Sequence, residues 1–215
     1  MINVIVLSAM HGRRLKIRGP LHNIKIGTTT TLFEYQVQTI KEVFPDSHFH
    51  LVYGFGGRGS KFADVNIHNE DYLTTNVCGS LSRALSEINP LATSTMIIHG
   101  DCYFNEYAIP TEINSISVAD NMKPKPEEVG VLSDPTGHFV EQFMYDNSDV
   151  WSKLIHLDMD TTWWLKQELE NEENQSFEIF CTPEVASLVE NIGFSYFEGQ
   201  PFGVVLYEKI LNSNN

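Results

Sequence analysis

A chain of 215 residues with 42% hydrophobic content is long enough for one sizeable α/β core, and it carries no apolar run long enough to span a membrane. A formal charge of −14 excludes a general nucleic-acid binder, which needs surface Lys and Arg to displace counterions. The three cysteines, Cys78, Cys102 and Cys181, are odd in number and far apart, so neither a disulfide framework nor a zinc knuckle is suggested. A reducing, cytoplasmic setting with no secretory leader is expected.

In chain order, a β-branched run at 2–7 predicts a buried strand that opens into Ser8-Ala9-Met10-His11-Gly12-Arg13-Arg14-Leu15. A strand feeding a small-residue loop that bears Gly and Arg suits the phosphates of a nucleotide. Arg13, Arg14, Lys16, Arg18 and Lys25 fall within a stretch without acids, whereas the acids gather later, as in 168–173. A basic segment on an acidic chain suits a small polyanion such as a nucleoside triphosphate; a solvated basic loop is the plainer reading.

A helix is expected at 32–44 and strands at 48–54 and 64–68. Between the two strands, Gly54-Phe55-Gly56-Gly57-Arg58-Gly59 resembles a phosphate nest but reads better as a flexible strand-to-helix turn. A polar loop, 69–76, leads into a helix at 77–89 whose apolar residues Val77, Leu81, Ala84, Leu85 and Ile88 share one face. Asn76 reads either as the N-cap of that helix or as a contact for a nucleotide base.

The strand expected at 95–100 ends on Gly100-Asp101. Ligands of open α/β sheets bind beyond the carboxyl ends of strands, and a carboxylate there can hold Mg²⁺ against phosphate oxygens; a turn-capping Asp is the alternative. His99 reads as a core residue rather than a base.

Past residue 125 the pattern changes. Strands at 129–133 and 138–143 flank the turn Asp134-Pro135-Thr136-Gly137, and a further strand is expected at 151–156. Helices are expected at 160–171 and at 183–192, the latter with Thr182 as N-cap and Gly193 as stop. Trp151, Trp163 and Trp164 read either as core or as an aromatic wall for a choline-like cation. Strands alternating with helices over 1–100 imply a mainly parallel sheet.

The order Val6-Leu7-Ser8-Ala9-x-x-Gly12-x-Arg14-Leu15, then Asn69…Thr75-Asn76…Ser80-Leu81, then Gly100-Asp101 resembles the sugar-phosphate nucleotidyltransferase superfamily, nearest its phosphocholine cytidylyltransferase branch. The resemblance implies a three-layer α/β/α sandwich with a mainly parallel, mixed sheet of the GT-A-like kind. It implies one domain over 1–215, with a nucleotide-binding half (1–120) and an acceptor half (121–215). The implied reaction is attack by a substrate phosphate on the α-phosphorus of an NTP, with Mg²⁺ bound and pyrophosphate released.

Carried over by residue, Ser8, Ala9, Gly12 and Arg13 line the nucleotide loop, and Asn76 and Ser80 lie near base and ribose. Arg14 supplies charge and Asp101 binds the metal; Lys25 or Arg18, neither at the motif site, is the nearby replacement for the family's phosphate-contacting Lys. The implied partners are an NTP and a small phosphorylated substrate, with no nucleic acid and no membrane, and homo-oligomerisation is left open. Three positions depart from the pattern: Met10 replaces a loop Gly, Leu21 stands where a Lys follows Pro20, and Cys181 precedes Thr182-Pro183-Glu184 where a second metal-binding Asp is expected. A thiolate is too soft for Mg²⁺, so Asp158 or Asp160 becomes the alternative second ligand, unless that pair is merely the acidic start of the 160–171 helix. A glycosyltransferase using a nucleotide-sugar donor and a non-catalytic binding protein are the competing readings.

Overall fold

The computed structural model describes residues 1–9, 20–26, 28–119, 129–136, 140–145, 147, 149–171 and 195–199. Eleven strands and three α-helices occur among these residues. In chain order they are β1 (Ile2–Ser8), β2 (Lys25–Ile26), β3 (Thr30–Thr31), α1 (Leu32–Val43), β4 (Ser47–Tyr53), β5 (Val65–His68), α2 (Val77–Ser86) and β6 (Ser94–His99). They continue with β7 (Ser115–Ala119), β8 (Val129–Ser133), β9 (Val140–Tyr145), β10 (Val150–Asp158), α3 (Met159–Leu169) and β11 (Ser195–Gly199).

The main sheet runs β11-β7-β10-β6-β1-β4-β5, with the β8–β9 hairpin attached to β10. β1 pairs in parallel with both β4 and β6, and β4 with β5. β10 is antiparallel to its neighbours β6 and β7, and β11 is parallel to β7. β2 and β3 form a separate two-stranded ribbon.

Alternation along β1 sets the layers. Val4 and Val6 join a core with Phe33, Val37 and Ile40 of α1, while Ile5 and Leu7 face a second core with Leu81 and Leu85 of α2 and Leu165 of α3. A strand covered on both faces reads as a near-continuous apolar run, which is why 2–7, interrupted by Asn3 alone, is so plain in the sequence. The result is the expected α/β/α sandwich with a mixed, mainly parallel sheet.

The expected strands and helices within the described residues fall at their places, with no boundary moved by more than three residues. Two features differ. The glycine-rich segment after β4 leads to β5 rather than to a helix, with Gly56 at φ 90° and Gly57 at φ 64°. The strands β2, β3, β7 and β11 are not among those expected: Ser115 and Ser117 give β7 a polar look although both side chains are fully buried. The helix expected at 183–192 and the Pro-rich stretch 121–128 lie outside the described residues.

Candidate functional site

The sheet order reverses at β1. The chain steps outward from β1 to β4 and β5, then returns to lay β6 on the other side. Such a reversal opens a crevice beyond the carboxyl ends of the two central strands. Ser8 and Ala9 leave β1 there, and Gly100 and Asp101 leave β6. The amide of Gly100 donates to the Leu7 carbonyl at 2.8 Å. A Cβ on Gly100 would meet the Ser8 Cβ at 2.8 Å and its Oγ at 2.9 Å, so glycine lets the two strand ends close up.

Asp101 sits in a turn held from two sides. The Cys102 amide donates to the His99 carbonyl at 3.2 Å, and Gln36 of α1 donates through Nε2 to the Cys102 carbonyl at 2.7 Å. The carboxylate pairs with Lys153, Nζ to Oδ2 at 3.1 Å, and both side chains stay partly open to solvent, at 34% and 28%. Burial alone would raise the Asp101 carboxyl, but Lys153, His99 and the surrounding hydrogen bonds outweigh it and hold the carboxyl below its ordinary value. Burial and repulsion from Lys153 push His99 down to about 4, so its imidazole is neutral at physiological pH. Cys102 is fully buried; burial and the Asp101 charge push its thiol up, which keeps it protonated.

Lys153 reaches Asp101 through a break in β10. The register shifts between Trp151 and Ile155, and Lys153 itself adopts φ 62°. The Trp151 indole closes the break by donating Nε1–H to the Leu154 carbonyl at 3.2 Å, while its ring packs edge-on to His99 and Phe143. Sequence reasoning missed Lys153. The available signal was a lone cation inside the apolar run 150–157.

On the β1 side, Ser8 is buried and its Oγ lies 3.4 Å from His22 Nδ1. His22 Nε2 is 2.8 Å from the Arg58 carbonyl, an obligate acceptor, so Nε2 carries the proton and Nδ1 accepts from the serine. Burial lowers the His22 pKa, consistent with that neutral tautomer. The Ala9 carbonyl accepts from the Phe55 amide at 3.2 Å, tying the end of β1 to the glycine-rich segment after β4.

At the start of α2, Asn76 is the N-cap, with Oδ1 accepting from the Val77 amide at 2.8 Å. Ser80 is buried, and its Oγ accepts from Asn69 Nδ2 at 3.0 Å. Asn69, fully buried, also donates to Thr75 Oγ1 and accepts from the Asp71 amide, so it organises the whole loop. Leu21 is buried against Ile24 and Leu32, so this position presents no charge; Lys25 is exposed on β2. Met10, His11, Gly12, Arg13, Arg14, Arg18 and Cys181 lie outside the described residues.

The carboxylates considered as a second metal ligand are elsewhere. Asp158 pairs in register with Ser94, the first residue of β6, whereas Asp101 follows the last. That separation is roughly 20 Å along the strand. Asp158 caps α3 by accepting from the Thr161 amide at 2.7 Å and also accepts from Asn114 Nδ2 at 2.7 Å; Asp160 lies in the first turn. The tryptophans form no wall: Trp151 is core, Trp164 packs against the same core, and Trp163 is exposed with Lys166 over its ring.

Among the described residues no group of three His, Cys, Asp or Glu side chains converges as a metal site. Asp101 fits Mg²⁺ as a single hard, ionised ligand, because that ion takes one or two carboxylates and completes its shell with phosphate and water.

No family model matches the sequence, and no curated protein matches it. Solved structures do. The chain is similar to the CTP:phosphocholine cytidylyltransferase of Streptococcus pneumoniae, with TM-score 0.72 and 14% identity over 99% of this chain and 97% of that one. It is similar to a nucleoside-diphosphate-sugar pyrophosphorylase from Vibrio cholerae RC9, with TM-score 0.68 and 14% identity over 99% and 98%. The inositol-1-phosphate CTP transferase of T. maritima gives TM-score 0.56 and 12% identity over 88% and 95%. This chain shares the fold of these structures.

Proposed function

We propose that the chain is a nucleotidyltransferase that moves a nucleoside monophosphate from an NTP to a small phosphorylated substrate, a sugar 1-phosphate or a phosphocholine-like molecule. The observation that carries this reading is the ionised, partly open Asp101 carboxylate in the crevice where the strand order reverses. CTP is the first nucleotide to test, since two of the similar structures are named for its use.

In the proposed reaction a phosphate oxygen of the acceptor attacks the α-phosphorus. A new P–O bond forms there, the bond from the α-phosphorus to the bridging oxygen breaks, and pyrophosphate leaves with that electron pair. Little covalent chemistry is asked of the protein; positioning and charge neutralisation suffice. Asp101 would hold Mg²⁺, which when bound neutralises developing charge on the phosphates. Arg14 and Lys25 supply cationic contacts, and Ser8, Ala9, Gly12 and Arg13 shape the nucleotide loop. Asn76 borders the base, with Ser80 and Asn69 holding its loop in place. Residues 1–120 serve the nucleotide and 121–215 the acceptor, within one domain in the cytoplasm.

One observation favours a second reading, a non-catalytic nucleotide-binding protein: the position expected to present a Lys is the buried Leu21. A screen of the four NTPs against phosphorylated small molecules, read by pyrophosphate release, decides between the two. Asp101→Asn is expected to lower kcat/KM by about 10²–10³-fold, the usual cost of one charge contact in such a site. Unchanged turnover in that variant would sink the catalytic role. Nucleotide binding without any pyrophosphate release would favour the binding protein, and hydrolysis of a nucleotide sugar would favour a glycosyltransferase.

A further inference from the structure

We infer that Arg58 is a phosphate-contacting residue of the crevice, a cation carried on the glycine-rich segment 54–59 and pinned there by His22. The inference rests on the nucleotide reading above and gives its site a charge that the sequence motifs do not supply. The first support is where the segment lies. It leaves β4, the neighbour of β1, and packs against Ala9 and Pro20, which flank the predicted nucleotide loop in the sequence. The Phe55 amide donates to the Ala9 carbonyl at 3.2 Å. A Cβ on Gly56, which sits at φ 90°, would meet Pro20 Cδ at 2.9 Å. The segment also abuts the loop before α2, where a Cβ on Gly54 would meet Tyr72 Cγ at 2.6 Å.

The second support is that the segment is fastened rather than slack. Buried His22 accepts from the Ser8 hydroxyl through Nδ1 and donates from Nε2 to the Arg58 carbonyl at 2.8 Å, so Arg58 stands one imidazole away from the end of β1. Two residues on, Asn66 of β5 accepts from the Ser60 amide at 2.7 Å and donates to the Ser60 carbonyl at 3.0 Å. A backbone fixed in this way spares the side chain part of the ordering cost of binding. The third support is chemical. Arg58 is exposed, and its guanidinium forms no ion pair among the described residues. Its planar fork of donors suits two oxygens of one phosphate. The charge missing at Leu21, which is buried against Ile24 and Leu32, is thus replaced from the segment that the next residue, His22, holds.

Arg58→Gln keeps a long polar side chain, leaves the carbonyl that His22 holds, and removes the charge. Binding of CTP, ATP, GTP and UTP, of inorganic pyrophosphate, and of phosphocholine and glucose 1-phosphate is measured by calorimetry on the full chain in Mg²⁺. Arg58→Gln is expected to weaken the tightest NTP and pyrophosphate by about tenfold or more, the scale of one charge-assisted contact. It should melt with the parent, since no described ion pair is lost. Arg58→Lys is expected to restore part of the affinity, because it returns the charge without the fork.

A loss that includes NTPs and pyrophosphate assigns the contact to the nucleotide's phosphates. A loss confined to phosphocholine and glucose 1-phosphate assigns it to the acceptor's phosphate, and either result upholds Arg58. NTP binding by the parent with every affinity equal in Arg58→Gln overturns the inference and leaves the nucleotide reading standing. Arg58-dependent binding of pyrophosphate or of the phosphorylated small molecules by a parent that binds no NTP overturns the nucleotide reading and leaves Arg58 standing. Binding of none of these ligands by the parent overturns both.

Discussion

At the scale of single residues, His50 shows how burial sets a pH limit. It is fully buried, with Nε2 at 3.2 Å from Asn3 Oδ1 and 3.1 Å from His48 Nδ1, while its Nδ1 has no hydrogen-bond partner among the described residues. A second proton would therefore sit on a nitrogen with no acceptor. Burial, with repulsion from His48, pushes the imidazole down from 6.5 to about 4. The unfolded chain takes up that proton first, so stability falls as pH drops from about 6.5 towards 4 and is restored above that window. The His50 contribution is at most about 3 kcal/mol, and His99 titrates in the same window. Asp101 and Asp158, both held below their ordinary values, add their losses only at lower pH. Urea midpoints at neutral pH and near pH 5 should differ accordingly, and His50→Leu should flatten the slope. Asn3 Oδ1 keeps the Asn89 amide at 3.1 Å in that variant. A midpoint that does not move would mean that His50 is not held neutral.

At the scale of elements, α3 and β10 separate two acids that look alike in the sequence. Asp158 ends β10 and caps α3, at the opposite end of β6 from Asp101. Asp158→Ala should therefore cost about 1–2 kcal/mol of stability, the worth of a lost N-cap, and leave nucleotide affinity unchanged. A folded variant with lost affinity would contradict this placement. The same elements show what the sequence could and could not convey. β1 and β6 are legible because both faces of each are covered, leaving runs rich in β-branched residues, and β4 shows as the apolar stretch Phe49 to Tyr53 broken by His50. β7 is hidden because its buried serines mimic a loop, and the β2–β3 ribbon is too short to show periodicity. Gly100 and Asp101 were readable as a strand end at a crevice. Lys153 was not, since no spacing rule announces a residue that reaches its partner through a register break 52 positions away.

At the scale of the whole molecule, a net charge of −14 on 215 residues opposes compaction through like-charge repulsion. Added salt screens that repulsion. Moderate NaCl at neutral pH should raise the melting temperature by about 2–4 °C, the shift expected for about 1 kcal/mol in a chain of this size. A flat or falling curve would show that local pairs such as Arg83–Asp71 outweigh the long-range field. The break in β10 has a consequence at this scale too. Trp151 and Ile155 keep their β7 partners on either side of it, and Leu154 keeps Ile98 of β6, so β10 carries its irregularity without giving up the antiparallel seam that joins the β7–β11 side to the parallel half of the sheet.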